Sequence, residues 1–348
     1  MRLAIKPDSL FEAIALRANL APEPIVETQI ALVSARAIMA GAELGIFSSL
    51  DEKPLSAAQI ASACRLDTRA TEALLGALVS GRYLQYRAEL YHLTAKSRKW
   101  LTSKKGWSLF HYMPHVRDVW RMLESIEQFM RDGKGLEIHD AGLSEDEWSR
   151  YQQAMRSLSA EAAHEVAQRL PVEPGASRML DIGGSHGFYS VALCRRHPQL
   201  SATILDLSAA IAHAARILEA EGMGDRVRHQ AGNALTDDLG ENLYDLILIS
   251  NLVHHFTDQQ NRDLSVRAAR AVKPGGALAI QELIRPVSPN SGDQVGQVLN
   301  LFFALTSTSG TWSVAEIQAW MLDANLTLRR PVFLRSIPGT AQIVGIKR

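Results

Sequence analysis

Apolar residues recur every three or four positions in the first part of the chain, which is the spacing of amphipathic helices. This pattern predicts a helix over residues 27–50, then a helix, a short turn and a second helix over residues 55–80. Ser56 and Asp67 stand where the N-caps of these last two helices are expected. Two strand candidates follow, RYLQY and LYHLT, joined by a tight turn at residues 87–89. Helix–turn–helix followed by a hairpin is typical of a winged helix.

The middle of the chain is first aromatic and then polar. The stretch 106–130 is predicted to be helical, and 131–147 (RDGKGLEIHDAGLSEDE) to form a linker or loop. A further helix, from about residue 147 to 170, ends before a segment rich in proline and glycine. The aromatic residues of the first stretch are Trp107, Phe110, Tyr112, Trp120 and Phe129.

Beyond residue 178 short apolar runs alternate with helical stretches. The strand candidates are RMLDIG, SATILDL, RVRHQAGN, YDLILISNL and GALAIQEL, and the helices between them cover 187–196, 208–221 and 258–272. Such alternation predicts a parallel sheet covered by helices, with ligands bound beyond the carboxyl ends of its strands. Two last candidates, NLTLRRPVFLR and AQIVGIKR, are placed to pair antiparallel at one edge.

These patterns together predict an α/β protein with three parts. A mainly helical winged-helix domain (1–105) and connecting helices (106–170) precede the domain of parallel strands (171–348).

The charge balance bears on the winged helix, a pattern also used to bind DNA. Lys+Arg and Asp+Glu both total 37, so nothing favours nucleic acid or an anionic membrane as a partner. The helix that would enter the DNA groove, 68–80, has Arg69 as its only basic residue and is otherwise mostly Ala and Leu. A face this apolar is built to be buried, which argues against DNA binding.

The compartment is indicated by the cysteines and the apolar runs. Cys64 and Cys194 are isolated in apolar surroundings, which indicates a reducing compartment and neither a disulfide framework nor a zinc cluster. No apolar run reaches the ~18 residues of a membrane span. Asp8 and Glu12 interrupt the region where a signal peptide needs an apolar core. We therefore predict a cytoplasmic protein without a membrane span.

The first strand of the parallel region ends in DIGGSHG, residues 181–187. Glycines at a strand-to-helix turn let the backbone approach a ligand, and the helix N-terminus adds N–H donors. Neither Gly183 nor Gly184 begins the G-x-G-x-x-G pattern of a dinucleotide site. Asp181 at the strand end suits a positively charged cofactor, and Asp206 at the end of the next strand is placed to bind a ribose diol. The alternative is that the glycines only form turns and the acids cap helices.

The segments LDIGGSHGFYSVAL, LDLSAAI, GNAL, LVHHFTD and VKPGGALAIQEL together resemble the class I S-adenosylmethionine-dependent methyltransferases. With the winged-helix pattern, residues from about 25 to 348 are similar to the dimeric small-molecule O-methyltransferases of the caffeic acid and hydroxyindole type. The resemblance implies a Rossmann-like sheet of seven strands, S-adenosylmethionine as cofactor and a small-molecule substrate. It also implies dimerisation through the N-terminal domain and a contribution of the connecting helices (106–170) to the substrate pocket. The apolar helices within 11–50 exceed what one small domain can bury, so we expect an intertwined homodimer.

Cofactor-binding positions follow from the resemblance. The glycine turn is expected to contact the methionine part of the cofactor, and the acid after the second strand its ribose. Asn233 stands where the family usually has an aspartate that binds the adenine. Ala234 replaces a large apolar residue, so Leu235 is an alternative source of stacking surface, and Ser250 stands where a lysine is usual. Tyr151 and Met155 match side chains that line the sulfonium and the substrate, with helix packing as the alternative. The remaining cofactor positions are Asp181, Gly183, Gly184, Gly187, Asp206 and Leu207.

The resemblance also assigns catalytic residues. The family's base is a histidine after the fourth strand, normally in a His-Asp-Trp run, and this sequence has His254-His255-Phe256 there. His254 is therefore the candidate general base, and Glu282, at the end of the fifth strand, the acid that orients it. The alternatives are a packing histidine and a solvated carboxylate. The acceptor is expected to pack on Phe302, Phe303 and Trp312.

One departure leaves the reaction open. The second supporting acid of the family is absent, because residues 311–313 read Thr-Trp-Ser. The leading hypothesis is methyl transfer to a hydroxyl of an aromatic or polyketide-like molecule without a bound metal. Carbon or nitrogen methylation, a metal site made by His254, His255 and Asp258, and a non-catalytic cofactor-binding regulator are the alternatives.

Overall fold

A computed structural model describes residues 3–102, 108–139, 143–291 and 293–348. These form two compact units, one ending at Arg117 and the other covering Asp118–Arg348. Trp107 of the predicted aromatic helix lies outside the described residues, as do 140–142 of the predicted loop.

The N-terminal unit is mainly helical. Its helices are α1 (Leu10–Arg17), α2 (Glu23–Ile25), α3 (Ala31–Glu43), α4 (Ile46–Ser49), α5 (Ala57–Cys64), α6 (Thr68–Ser80) and α7 (Ala95–Trp100), and its strands are β1 (Leu84–Arg87) and β2 (Leu90–Leu93). A π-helical stretch, Val26–Ile30, joins α2 to α3, and α8 (Met113–Leu123) spans the division between the units.

The winged-helix pattern is present in this unit. The Ser56 hydroxyl accepts a hydrogen bond from the backbone N–H of Gln59, and Asp67 accepts one from Ala70, so both predicted N-caps are confirmed. The hairpin β1–β2 turns at Ala88 and Glu89, whose φ angles of 50° and 59° are those of a type I′ turn. The predicted helix over 27–50 is instead interrupted at Gly45, where φ is 80°.

One helical run differs from the expectation that no apolar stretch is long enough to span a membrane. Residues Glu23–Glu43 form a run that is long and apolar enough by length and composition alone, and 17% of its apolar window is buried. The difference arises because the run is apolar on average, although Thr28, Ser34 and Arg36 interrupt it and leave no long uninterrupted apolar stretch.

The second unit contains the remaining elements. They are α9 (Ile126–Asp132), α10 (Glu145–Arg169), β3 (Arg178–Ile182), α11 (Phe188–Arg196), β4 (Ser201–Asp206), α12 (Ser208–Glu219), β5 (Val227–Ala231), β6 (Tyr244–Ser250), α13 (Asp258–Ala271), β7 (Val272–Leu283), α14 (Gln294–Thr306), α15 (Val314–Asp323), β8 (Thr327–Leu328), β9 (Val332–Phe333) and β10 (Thr340–Ile346).

The strands form one sheet of order β5-β4-β3-β6-β7-β10-β8, with β9 also paired to β10. The first five strands are parallel and β10 is antiparallel, which confirms the predicted α/β architecture. One face packs on α10 and α11 and the other on α13 and α15. Within the described residues the sheet has eight strands rather than seven, because the predicted strand NLTLRRPVFLR is divided in two around Pro331, which has no N–H to donate to a ladder.

The turn after β3 depends on close packing at Gly187. This residue is the N-cap of α11 with a φ of 74°, and a Cβ there would lie 2.5 Å from the side chain of Ile204. Glycine is therefore required at this position for two reasons: the left-handed backbone conformation and the close approach of α11 to the sheet.

Gly187→Ala should lower the free energy of unfolding by about 3 kcal/mol, because strain in the left-handed backbone (about 1 kcal/mol) adds to a steric overlap (about 2 kcal/mol). Gly222→Ala is the matched control, since Gly222 has a φ of 67° and nothing within 4 Å of a Cβ. We expect this control to lose only the backbone part, about 1 kcal/mol, in urea denaturation. Equal losses in the two variants would contradict the packing argument.

Candidate active site

A cavity of about 410 Å³ opens at the carboxyl ends of β3, β4, β5 and β6. This is where ligands bind in open parallel sheets. The predicted cofactor-binding residues that line it are Tyr151, Gly183, Asp206, Leu207, Asn233 and Ala234, and the alternative Leu235 lines it as well.

Asp181 lies beneath the glycine turn and supports it. The residue is 1% exposed, its Oδ2 accepts a hydrogen bond from the Ser190 hydroxyl at 2.6 Å, and a Cβ on Gly184 would lie 2.5 Å from its carboxylate. Burial raises the pKa of Asp181 to about 7, against the opposing effect of the Ser190 hydrogen bond. Its Oδ1 is buried without a hydrogen-bond partner in the part of the chain that the structure describes. The turn above it therefore covers an acidic group with unused hydrogen-bonding capacity.

Asp206 is held at the cavity wall by two backbone N–H groups. Ser185 N–H donates to its Oδ2 and Leu207 N–H to its Oδ1, both at 2.8 Å. Burial raises the pKa of Asp206, while these two hydrogen bonds act in the opposite direction. Ser185 has a φ of 51°, a conformation that L-residues seldom adopt, and its hydroxyl is hydrogen-bonded to the side chain of Gln152. Since each carboxylate oxygen accepts more than one hydrogen bond, Asp206 retains capacity for a ligand hydroxyl.

The turn after β5 presents small and apolar surface. The side-chain oxygen of Asn233 accepts the N–H of Leu235 at 2.9 Å, so part of this amide stabilises the turn itself. Gly232 is required here, because a Cβ would lie 2.5 Å from Asp237 Oδ2.

The charge of the cavity is negative. Asp206 and Glu137 contribute carboxylates, and the described lining residues include neither lysine nor arginine. An anionic ligand such as a pyrophosphate would find no cationic partner here, whereas a cation would be stabilised. The acidic side chains of the lining therefore fit the positively charged cofactor expected from the sequence.

His254 and Glu282 form a buried pair beside this cavity. Nδ1 of His254 lies 3.1 Å from Oε2 of Glu282, and the two side chains are 3% and 0% exposed. The other carboxylate oxygen accepts the N–H of Leu283 at 2.9 Å. An ionised carboxylate can only accept, so in the neutral ring Nδ1 carries the proton and Nε2 the lone pair.

Ring contacts surround this pair. The ring centroids of Phe303 and His254 are 4.2 Å apart, and those of Phe302 and Phe303 are 5.5 Å apart. His255 lines the cavity, with its ring 4.2 Å from that of His254 and 4.6 Å from that of His139. Phe303 thus packs on the candidate base and Phe302 packs on Phe303, and neither belongs to the described lining, so their role as an acceptor wall stays a prediction.

Several predicted site residues do not line the cavity but make hydrogen bonds or packing contacts next to it. The Ser250 hydroxyl accepts hydrogen bonds from Gln281 at 3.0 Å and from Asn251 at 3.3 Å, and Asn251 does line the cavity. The Trp312 indole donates to the carbonyl of Val253 at 2.9 Å and packs on Trp320. Gly184, Gly187 and Met155 are likewise outside the described lining.

Sequence patterns missed several lining residues. Trp148 precedes Tyr151 by three positions on α10, a helical spacing that places both on one face and was the available signal. His139 and Glu137 had no such signal. Their segment is placed at the cavity by long-range backbone hydrogen bonds, from Leu136 N–H to Leu305 O and from Ile138 N–H to Thr306 O, which leave no pattern in the sequence.

Asp258 does not join the two histidines in a metal site. Its carboxylate accepts hydrogen bonds from Arg262 at 2.7 Å and from the Trp320 indole at 2.8 Å. Among the described residues, no group of three or more His, Cys, Asp or Glu side chains is placed to hold a metal ion.

His186 of the glycine turn generates a pH prediction. Its Nδ1 accepts the N–H of Phe188 at 3.1 Å, and burial lowers its pKa to about 3. Below pH ~6.5 the unfolded chain binds a proton that the folded chain excludes, so this residue destabilises the fold by about 1.4 kcal/mol per pH unit. Between pH 7 and 5 the wild type should lose about 2 kcal/mol relative to His186→Asn in urea denaturation. Parallel pH profiles would contradict this, and His164→Asn controls for the loss of an exposed histidine.

Comparisons with known proteins agree with this site. A family model of the O-methyltransferase domain matches residues 122–321, and one of the O-methyltransferase dimerisation domain matches 26–103. The chain is 26% identical over 324 residues to the N,N-dimethyltransferase OxyT of Streptomyces rimosus, covering 90% of this chain and 93% of that protein.

Two further proteins are similar over nearly the whole length. The 3-hydroxy-5-methyl-1-naphthoate 3-O-methyltransferase of Streptomyces sahachiroi is 26% identical over 338 residues, covering 94% of this chain and 95% of that protein. The structure of human N-acetylserotonin methyltransferase in complex with S-adenosylmethionine has the same fold, with a TM-score of 0.80 at 20% identity, covering 99% of each chain. The chain therefore belongs to the O-methyltransferase family and is an S-adenosylmethionine-dependent methyltransferase of small molecules.

Proposed function

We propose that the protein transfers a methyl group to a hydroxyl of an aromatic or polyketide-like small molecule, with His254 as general base and Glu282 as its orienting acid. The observation that carries this proposal is the buried pair of His254 Nδ1 and Glu282 Oε2, 3.1 Å apart, beside the cavity.

The cavity supplies the groups that would hold the methyl donor. We assign Gly183 to its methionine part, with Asp181 supporting the turn from below, Asp206 and Leu207 to its ribose, and Asn233 with Ala234 to its adenine. The absence of lysine and arginine from the described lining suits a ligand with a positive charge. When bound, S-adenosylmethionine supplies a methyl carbon already activated for displacement by its sulfonium.

The protein's remaining task is to align the acceptor and remove its proton. With Nδ1 bound to Glu282, the lone pair of His254 Nε2 is available for the proton of an acceptor hydroxyl. The buried carboxylate then stabilises the imidazolium that forms, because opposite charges interact strongly away from water. Alignment can contribute roughly 7–11 kcal/mol to lowering the barrier, and a positioned base a further 10²–10⁴-fold in rate.

Transfer to nitrogen is the second candidate. The similarity to an N,N-dimethyltransferase favours it, as does the absence of the family's second acid. Of the residues in its place, Thr311 donates a hydrogen bond to Asn300 and Ser313 caps α15, so neither substitutes for that acid. We rank oxygen first because a hydroxyl needs a base as it reacts, and the pair supplies one. An amine that binds uncharged already presents a free lone pair.

His254→Ala should lower kcat at least about 10²-fold, and Glu282→Gln about tenfold, since removing the base costs more than disorienting it. Product formation from S-adenosylmethionine would be followed on matched naphthols and naphthylamines, and we expect ethers to be the main product. Calorimetry should show donor affinity in both variants within twofold of the wild type.

His164→Ala is the control for this experiment, because that histidine lies on the exposed face of α10. A kcat loss below tenfold for His254→Ala would contradict the role of a base. Methylated amines without ethers would establish the second candidate instead.

We propose further that the protein is a cytoplasmic homodimer joined through the N-terminal domain. The run Glu23–Glu43 exposes large apolar side chains, with Ile30, Leu32 and Val33 at 52%, 50% and 60% exposure. An apolar face of this kind requires either a partner or a membrane, and the match to a dimerisation domain at 26–103 favours the partner.

Light scattering should give twice the chain mass of 38.3 kDa. Val33→Glu should shift the population toward monomer, because it introduces a charge into the apolar face. Lys53→Glu is the control, since Lys53 is exposed outside that face. A monomeric wild type, or its recovery in a membrane fraction, would contradict the proposal.

A further inference from the structure

One histidine behind the cavity wall is placed to control how the cavity holds a ligand. His229 on β5 is not among the described lining residues, but its Nε2 lies 2.8 Å from the carbonyl oxygen of Ser185 in the glycine turn. We propose that His229 is a positioning residue for the methyl donor. By holding Ser185, it fixes the carboxylate of Asp206 in the orientation that binds the ribose diol. The inference rests on the proposed assignment of Asp206 to the ribose.

The acceptor determines the direction of this hydrogen bond. A backbone carbonyl can only accept, so Nε2 of His229 carries a proton and donates it to the Ser185 oxygen. The protonated imidazole also has an N–H at Nε2. The bond therefore does not depend on the charge of the ring, and any side chain with an N–H at the same place could make it.

Ser185 is held in an unfavourable conformation by hydrogen bonds from all of its polar groups. Its φ is 51°, and its N–H donates to Asp206 Oδ2 at 2.8 Å. Its carbonyl accepts from His229, and its hydroxyl donates to the side chain of Gln152. The partners belong to β4, β5 and α10. A left-handed serine persists only where its surroundings maintain it, so loss of the bond to His229 should let the turn relax.

The N–H of Ser185 fixes one of the two carboxylate oxygens of Asp206. It binds Oδ2, while the N–H of Leu207 binds Oδ1, each at 2.8 Å. Together these bonds prevent the carboxylate from rotating about its Cβ–Cγ bond. If Ser185 moved away, the carboxylate could rotate, and a diol would have to order it again at a cost in affinity.

The sheet places His229 on the face that carries the glycine turn. β4 lies between β5 and β3, and His229 pairs in register with Ile204 of β4. Ile204 contacts the turn from below, because a Cβ on Gly187 would lie 2.5 Å from its side chain. Paired residues of neighbouring strands project to the same face. The imidazole of His229 therefore reaches past Ile204 to the turn that follows β3.

The imidazole also acts on Asp206 through its charge. Burial raises the pKa of Asp206, whereas the two N–H groups at its carboxylate, and then the neighbouring His229, lower it. His229 therefore favours the ionised carboxylate. This is the form in which both oxygens accept hydrogen bonds from a diol.

The test compares two ligands that differ only at the ribose, S-adenosylhomocysteine and its 2′-deoxy analogue. Their dissociation constants would be measured by calorimetry on the full-length protein, and the ratio of the two does not depend on the folded fraction. We expect the wild type to bind S-adenosylhomocysteine about tenfold or more tightly than the analogue, which lacks one hydroxyl for the carboxylate. His229→Leu should reduce this ratio below about threefold, because the carboxylate is then no longer held toward the diol.

His229→Gln should keep the ratio within about twofold of the wild type, because its amide also has an N–H to donate. Gln230→Leu is the matched control and should leave the ratio unchanged. Gln230 is the next residue of β5, is exposed, and projects to the opposite face. In an Asp206→Asn background, His229→Leu should weaken the binding of S-adenosylhomocysteine by less than about twofold further, because residues that act through one another are not additive.

A ratio that stays above about threefold in His229→Leu would overturn the proposal, as would equal losses in the Leu and Gln variants or additive losses in the double variant. If Asp206→Asn removes the preference while His229→Leu retains it, the ribose assignment stands and only the role of His229 fails. Equal binding of the two ligands by the wild type would refute the ribose assignment itself, and the inference with it.

Discussion

The parallel register of the sheet is the constraint on which the site depends. Because β3 pairs in register with both β4 and β6, and β6 with β7, the residues that end these strands reach the same edge. Asp181, Asp206 and Glu282 stand at three of those ends. Each carboxylate accepts at least one hydrogen bond from the chain, which is what allows acidic side chains to remain buried at this edge.

Periodicity was sufficient for the centre of this sheet, because β6 and β7 carry long buried apolar runs and helical spacing separates the strands. It failed where one residue broke a pattern, as at Gly45 and at Pro331. Part of the candidate site could be predicted from the sequence for a related reason. The residues that follow strands, such as Gly183 and Asp206, sit in turns whose form depends on local chemistry. His139 and Gln152 could not be predicted as site residues. They are placed at the cavity by contacts between segments distant in sequence, which a single sequence does not reveal.

The adjacent histidines illustrate how a fold separates residues of the same type. His254 lies buried against Glu282, whereas His255 faces the cavity and contacts His139. The difference comes from the short 3₁₀ turn at Val253–His255, which directs successive side chains to different sides. We propose proton transfer for the first ring.

The negative lining of the cavity has a consequence for turnover. Transfer of the methyl group converts a sulfonium into an uncharged sulfide, so the by-product leaves with one positive charge fewer than the donor brought. A wall with the carboxylates of Asp206 and Glu137, and with no lysine or arginine among its described residues, attracts the donor more strongly than the by-product. If the donor lies in this cavity, as we propose, the electrostatics that load the enzyme also limit inhibition by its own spent cofactor.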